Sequence, residues 1–266
     1  MPTVGHITRL TLNVRDIERA IDFYVGALGF RVEARTTGGA CLAIGAQRIE
    51  LRSKPDASPY PEQRKANDPW FQHFAIAVFD MAIAYERLSR FSPEPITLEG
   101  PQLLPPSTGS VTAYKFRDPD GHPLELSFAP TSAWSQVGSP ESAVFLGIDH
   151  TALGVRSLDA SIAFYKGLGF RLGARSLNRG PEQDRLDGLV GAVVDIVTLL
   201  TPEPGPHIEL LHYRSPASAI SHEMTRKDIA ATKTVLTLIA RSPAEFIEPI
   251  SGQRDPDGHF LRFTTS

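Results

Sequence analysis

Cysteine is almost missing from this chain: Cys41 is alone in 266 residues. One thiol can neither close an internal disulfide nor build a cysteine-based zinc site, and such scarcity fits a reducing compartment. Long apolar runs are missing too. The longest, from Gly188 to Leu200, is broken by Asp195 and is too short to cross a bilayer. The N-terminus lacks the apolar stretch of a signal peptide. Neither sign of charge dominates, since 27 Lys and Arg face 30 Asp and Glu for a net charge of -3, with no basic run. That balance argues against a nucleic-acid or anionic-membrane partner. The expectation is a cytoplasmic protein with a small-molecule partner, either a monomer or a homodimer.

What is present is repetition. Arg117-Asp-Pro-Asp-Gly-His122 returns as Arg254-Asp-Pro-Asp-Gly-His259. The stretch Ala20-Ile-Asp-Phe-Tyr-Val-Gly-Ala-Leu-Gly-Phe-Arg31 returns, with one deletion, as Ser161-Ile-Ala-Phe-Tyr-Lys-Gly-Leu-Gly-Phe-Arg171. Repeats fix an architecture before any local reading does. Here they divide the chain into two halves, 1–130 and 145–266, each made of two units.

Unit one spans 4–52. Residues Arg9 to Val14 alternate polar and apolar as a half-buried strand does. Asp16 then suits the N-cap of a helix carrying Ile17, Ala20, Ile21 and Tyr24 on one face, ended by Gly26 and Gly29. Three strands follow. Unit two spans 70–128 and closes through the Asp118-Pro-Asp-Gly121 turn, which suits a tight hairpin connection. His122 and His259, just after the two turns, read as exposed loop residues. Ala129 to Glu141 reads as a linker. Unit three, 146–214, repeats unit one and carries an insertion from Asn178 to Gly188, read as a surface loop suited to covering a pocket. Unit four, 225–266, is too short for a full copy. The fold class is therefore α+β, four βαβββ units with the fourth truncated.

These motifs resemble the vicinal oxygen chelate family, which includes glyoxalase I, extradiol ring-cleaving dioxygenases and the fosfomycin- and bleomycin-resistance proteins. The resemblance covers nearly the whole chain except unit four; it is specific for the fold and weak for the reaction. It implies paired units curled into incomplete barrels, each able to hold a metal through residues on the first and last strands of two units. In this sequence the first-strand positions are Arg9, His73, His150 and a residue near Ala231. The last-strand positions are Glu50, Glu125, Glu209 and Arg262. Strand alternation supports the choice, because Leu124, Leu126 and Phe128 leave Glu125 on the other face, and Phe74, Ile76 and Val78 leave His73 with Ala75 and Ala77.

Pairing of the units decides how many sites survive. Within-half pairing would put a cationic Arg into both sets, and Arg cannot ligate a metal. Crosswise pairing, two with three and one with four, gathers His73, Glu125, His150 and Glu209 into one complete set and leaves Arg9, Glu50 and Arg262 in a decayed one. Crosswise pairing is the expectation. Two imidazoles and two carboxylates suit one divalent ion of zinc, nickel, iron, manganese or cobalt. Resemblance to glyoxalase I then implies a lyase or isomerase that chelates two neighbouring substrate oxygens. Glu125 and Glu209 would divide the roles of ligand and base for proton transfer at the adjacent carbon. Tyr213 and Arg185 are candidate substrate contacts. The alternatives are an Fe(II) extradiol-type dioxygenase, which needs two His and one carboxylate, and a non-catalytic, drug-sequestering binding protein.

Overall fold

The structure, a computed structural model, describes residues 3–130, 134, 143–218, 224–239 and 252–265. The first group of elements is β1 (Thr3–Val14), α1 (Ile17–Leu28), β2 (Arg31–Thr36), β3 (Gly39–Ile44) and β4 (Gln47–Ser53). The second is β5 (Gln72–Val78), α2 (Met81–Ser89), the two-residue strands β6 (Glu94–Pro95) and β7 (Gln102–Leu103), β8 (Thr112–Arg117) and β9 (Pro123–Phe128). The third is β10 (Phe145–Gly154), α3 (Leu158–Gly167), β11 (Arg171–Arg179), α4 (Pro181–Asp187), β12 (Val193–Leu200) and β13 (His207–Ser215). Three strands complete the described residues: β14 (Lys233–Ile239), β15 (Gln253–Arg254) and β16 (Phe260–Thr265). Most of the expected linker, and residues 240–251 of the last unit, lie outside the described residues.

Local chemistry sets the helix ends. The Asp16 carboxylate accepts the N–H of Arg19 at the start of α1, and the Ser157 hydroxyl accepts that of Ala160 at the start of α3. Gly29 ends α1 in the left-handed conformation at φ 71°. Gly26, read from sequence as a second terminator, instead lies inside the helix. A β-carbon there would come within 2.7 Å of the Phe91 ring, so the glycine permits close approach of the segment after α2.

Two mixed sheets make an α+β fold. The first runs β15-β16-β14-β1-β4-β3-β2; the second runs β11-β12-β13-β10-β5-β9-β8-β6, with β7 alongside β8. Neither sheet is confined to one half of the chain. Each crosses between halves through one antiparallel pair, β1 with β14 and β5 with β10. The hydrophobic clusters run the other way. One joins Leu10, Leu28 and Leu51 to Ile76, Phe116 and Leu126, and a second joins Leu153, Tyr165 and Leu210 to Leu236 and Leu261. Each cluster thus ties one sheet to the other, and burial of each such side chain contributes about 1.5–3 kcal/mol.

The repeated sequence motifs meet in the folded chain. Tyr24, on α1, donates its hydroxyl to Asp118 at 2.8 Å, and Tyr165, on α3, donates to Asp255 at 3.1 Å. The other carboxylate oxygen of each Asp accepts backbone N–H groups of its own turn, from Asp120 and His122 and from Asp257 and His259. His122 and His259 are not exposed, contrary to the reading as loop residues. Each is 1% accessible, and their Nε2 atoms lie 2.7 Å from the Asn13 carbonyl and 2.8 Å from the Gly154 carbonyl. Each ring is held under the end of β1 or β10, which removes it from solvent.

Candidate metal centre

Four adjacent strands at the middle of the second sheet carry the expected ligands. Across β13, β10 and β5, Glu209 pairs with Ala152, and Ala152 pairs with His73. In the neighbouring row, across β10, β5 and β9, His150 pairs with Ala75, and Ala75 pairs with Glu125. Paired residues share a face, so all four side chains rise from the same side of the sheet. Ala75 and Ala152 lie between them, and their small side chains leave room. The rows continue outward to His207, opposite His150, and to Lys115, opposite Glu125.

The result is a cleft of about 210 Å³ lined by all four residues, with Lys115, His207 and Asp149. His73, Glu125 and His150 present ligand atoms within 4.8 Å of one another. Glu209 stands outside that trio, with Oε2 3.6 Å from His150 Nε2. Asp149, His150 and His207 form a second such trio.

His73 is 2% accessible. Its Nε2 lies 3.4 Å from Glu125 Oε2, yet neither ring nitrogen has a hydrogen-bond partner. A buried imidazole with both nitrogens unsatisfied is costly, and a cation seated beside it would satisfy one of them. His150 is held differently: its Nδ1–H donates to Asp149 Oδ2 at 3.0 Å, which turns Nε2 into the cleft. Carboxylate support behind a histidine is a usual arrangement for metal-binding imidazoles. The donor set and its support therefore fit a divalent ion.

Electrostatics match this picture. Burial lowers the His73 pKa, only partly offset by Glu125. Burial also disfavours charged His150, but Glu209 and Asp149 override it and raise the pKa to about 9. Burial alone would raise Glu209, yet His150 and His207 bring it down to about 2. Asp149 is likewise brought to about 2, chiefly by His150. Glu125, equally buried, is held low by His73 and Lys115. The cleft is thus a mesh of opposed charges around an imidazole that stays neutral.

The structure brings neither expected substrate contact to the cleft. Tyr213 donates its hydroxyl to Asp187 at 2.9 Å, and Arg185 Nε donates to Gln102 at 2.7 Å, with Glu99 3.7 Å away. The insertion read as a surface loop forms α4, whose Gln183 and Leu186 line the cleft while Arg185 points elsewhere. Sequence reading missed Lys115. Its ammonium is buried, 2.7 Å from Asp187 and 3.9 Å from Glu125. It also missed His207, although a residue two positions before Glu209 on a strand shares its face.

Comparison with known proteins bears on family and fold. The family model of the Glyoxalase/Bleomycin resistance protein/Dioxygenase superfamily matches residues 3–126 and 147–248. The chain belongs to that superfamily. Glutathione transferase FosA of Serratia marcescens is 28% identical over 127 residues, 48% of this chain and 83% of that protein. A glyoxalase I mutant from Zea mays superposes with a TM-score of 0.65 at 18% identity, covering 97% of this chain and 92% of that one. A putative dioxygenase from Bacillus subtilis superposes with a TM-score of 0.60 at 16% identity, covering 100% and 86%. At those identities the two structures speak for the superfamily's fold and not for its chemistry.

Proposed function

We propose that this chain is a metal-dependent lyase or isomerase of glyoxalase type. One divalent ion would be held by His73, Glu125, His150 and Glu209, and the substrate would be a small molecule with two neighbouring oxygens. The observation that carries the reading is His73, buried at the centre of the cleft with both ring nitrogens unpartnered beside Glu125 and His150. Such an ion, when bound, polarises the two oxygens and makes the adjacent C–H bond more acidic.

The remaining work falls to the chain's own groups. Asp149 fixes the tautomer of His150 by accepting its Nδ1–H. Glu125, 9% exposed and set between His73 and Lys115, is the steadier ligand. Glu209 is 21% exposed and stands outside the tight trio, so it is assigned the proton transfer at the substrate carbon. Metal ligation requires neutral His150, so the proton that Glu209 and Asp149 hold on that ring would be given up on loading. Leu104, Leu186 and Leu211 line the cleft and limit access of water.

Elemental analysis of protein purified without chelator or His-tag tests the proposal. About one equivalent of metal per chain is expected, lost in both His73→Ala and His150→Ala. Metal-free protein that also fails to load on reconstitution would overturn it. Glu209→Gln should keep more metal than Glu125→Gln while losing proton exchange at the substrate carbon. Oxygen uptake with a catechol would instead favour the dioxygenase reading. Thiol consumption with an electrophile would favour a transferase like the Serratia relative.

A further inference from the structure

The first sheet repeats the geometry of the second with its ligands replaced. Glu50 pairs with Thr11, and Thr11 pairs with Lys233, in the pattern of Glu209, Ala152 and His73. Arg9 pairs with Val235, and Val235 pairs with Arg262, in the pattern of His150, Ala75 and Glu125. The first-strand position of the last unit is therefore Lys233, two residues beyond the sequence-based placement near Ala231. Two imidazoles and one carboxylate have become two guanidiniums and an ammonium.

A cleft of about 530 Å³ lies on this sheet, larger than the one at the metal centre. Arg9, Arg48, Arg52 and Lys54 line it, and Glu50 is the one carboxylate among its lining residues. Glu50 is shared, since it accepts from Arg9 at 3.2 Å, from Arg52 at 2.9 Å and from Thr11 at 3.0 Å. Arg48 is held from outside by Glu33. Among the described residues no carboxylate pairs with Lys54, Lys233 or Arg262. Burial, then the charges of Arg52 and Lys54, push the Lys233 ammonium down to about 8, a sign of positive potential that Glu50 does not cancel.

We propose that this second cleft is a binding site for an oxyanion, the phosphate or carboxylate group of a small organic molecule. Guanidinium groups suit such ligands because their planar forks donate paired hydrogen bonds. Glu50 keeps Arg9 and Arg52 oriented while the cleft is empty, and an incoming oxyanion takes over the outer donors. Cys41 and the backbone of Gly38 and Gly39 line the remainder, which leaves space for an uncharged body attached to the anion.

The test is calorimetric titration of the full chain at low ionic strength, with inorganic phosphate and with succinate as probes. One saturable site is expected, and the tighter probe identifies the preferred group. Arg52→Ala should weaken binding about tenfold, and Lys54→Ala, at an exposed position, should weaken it if Arg52→Ala proves unfolded. Glu50→Gln should tighten it several-fold, because the competing carboxylate is gone while the side-chain shape remains. His73→Ala should bind the probes as the unaltered chain does. The proposal is overturned if neither probe saturates, if the arginine and lysine variants bind unchanged, if Glu50→Gln binds more weakly, or if His73→Ala abolishes binding.

Discussion

Replacing Lys115 with methionine isolates the electrostatics of the cleft wall. The Lys115 ammonium, 5% exposed, lies 2.7 Å from an Asp187 carboxylate that is fully buried. Asp187 also accepts Tyr213 at 2.9 Å and Gln183 at 2.6 Å, so it would keep two neutral donors and lose the one cation paired with it among the described residues. Burial disfavours the ammonium, but Asp187 and Glu125 outweigh it and raise the Lys115 pKa. Breaking one partner of a buried pair costs about 3–5 kcal/mol, and the two remaining donors place this case near the lower bound. For a chain of this length about 3 kcal/mol corresponds to roughly 6–12 °C in Tm. Asp187→Asn should cost less, because Lys115 retains Glu125 at 3.9 Å. The double variant Lys115→Met with Asp187→Asn should recover about 1.5 kcal/mol or more relative to the sum of the singles. Urea denaturation of the metal-free protein and a double-mutant cycle measure this. Lys115→Met costing under about 1 kcal/mol, or strict additivity, would refute the reasoning.

Tyr24→Phe should lower stability by about 1.5–3 kcal/mol, since it removes a buried hydrogen bond to a carboxylate. Tyr165→Phe, its counterpart in the second half, should do the same, and thermal melts of each variant check both. Gly26→Leu should cost about 1 kcal/mol or less, because the Phe91 ring it meets is 43% exposed and can swing aside, and that cost should vanish with Phe91→Ala in the same chain. Ala75→Leu should fill the floor between His150 and Glu125 and abolish metal uptake while the circular dichroism spectrum stays unchanged. The pH dependence around Lys233 has a definite sign. Its folded pKa of about 8 lies below its unfolded value, so the unfolded chain binds more protons between the two. Stability should therefore rise as pH increases from about 8 towards 10, and this slope should vanish in Lys233→Met.

Much of the fold was legible because the signals are local. Asp16 and Ser157 announce helix starts by their own chemistry, and the alternation in β5 and β9 assigns His73 and Glu125 to a face without any tertiary knowledge. The insertion was misread because a seven-residue helix is too short to show a period. The burial of His122 and His259 could not be read from their turns. It depends on carbonyls of Asn13 and Gly154, more than 100 residues away in sequence. Lys115 was missed for a similar reason: its partner Asp187 is 72 residues on, and one cation within an alternating strand reads as a solvated side chain.

The pairing of units was legible for a different reason. Local patterns do not say which unit lies beside which, but charge does: an arginine in a ligand position excludes a metal, and only one assignment keeps both arginines out of the complete set. That assignment requires β5 to meet β10, and they do. The Tyr24–Asp118 and Tyr165–Asp255 bonds join units within each half, as do most residues of the two hydrophobic clusters, with Phe145 and Ile148 entering the first and Val4 and Ile7 the second; the sheets join units between halves. Every unit is therefore fixed along two directions, through its core to one neighbour and through its sheet to another. The ligand rows of both sheets lie outside these two clusters. One sheet can keep an imidazole–carboxylate set while the other carries guanidinium and ammonium groups at the equivalent positions. The cores that hold both sheets have no stake in which of the two chemistries each cleft carries.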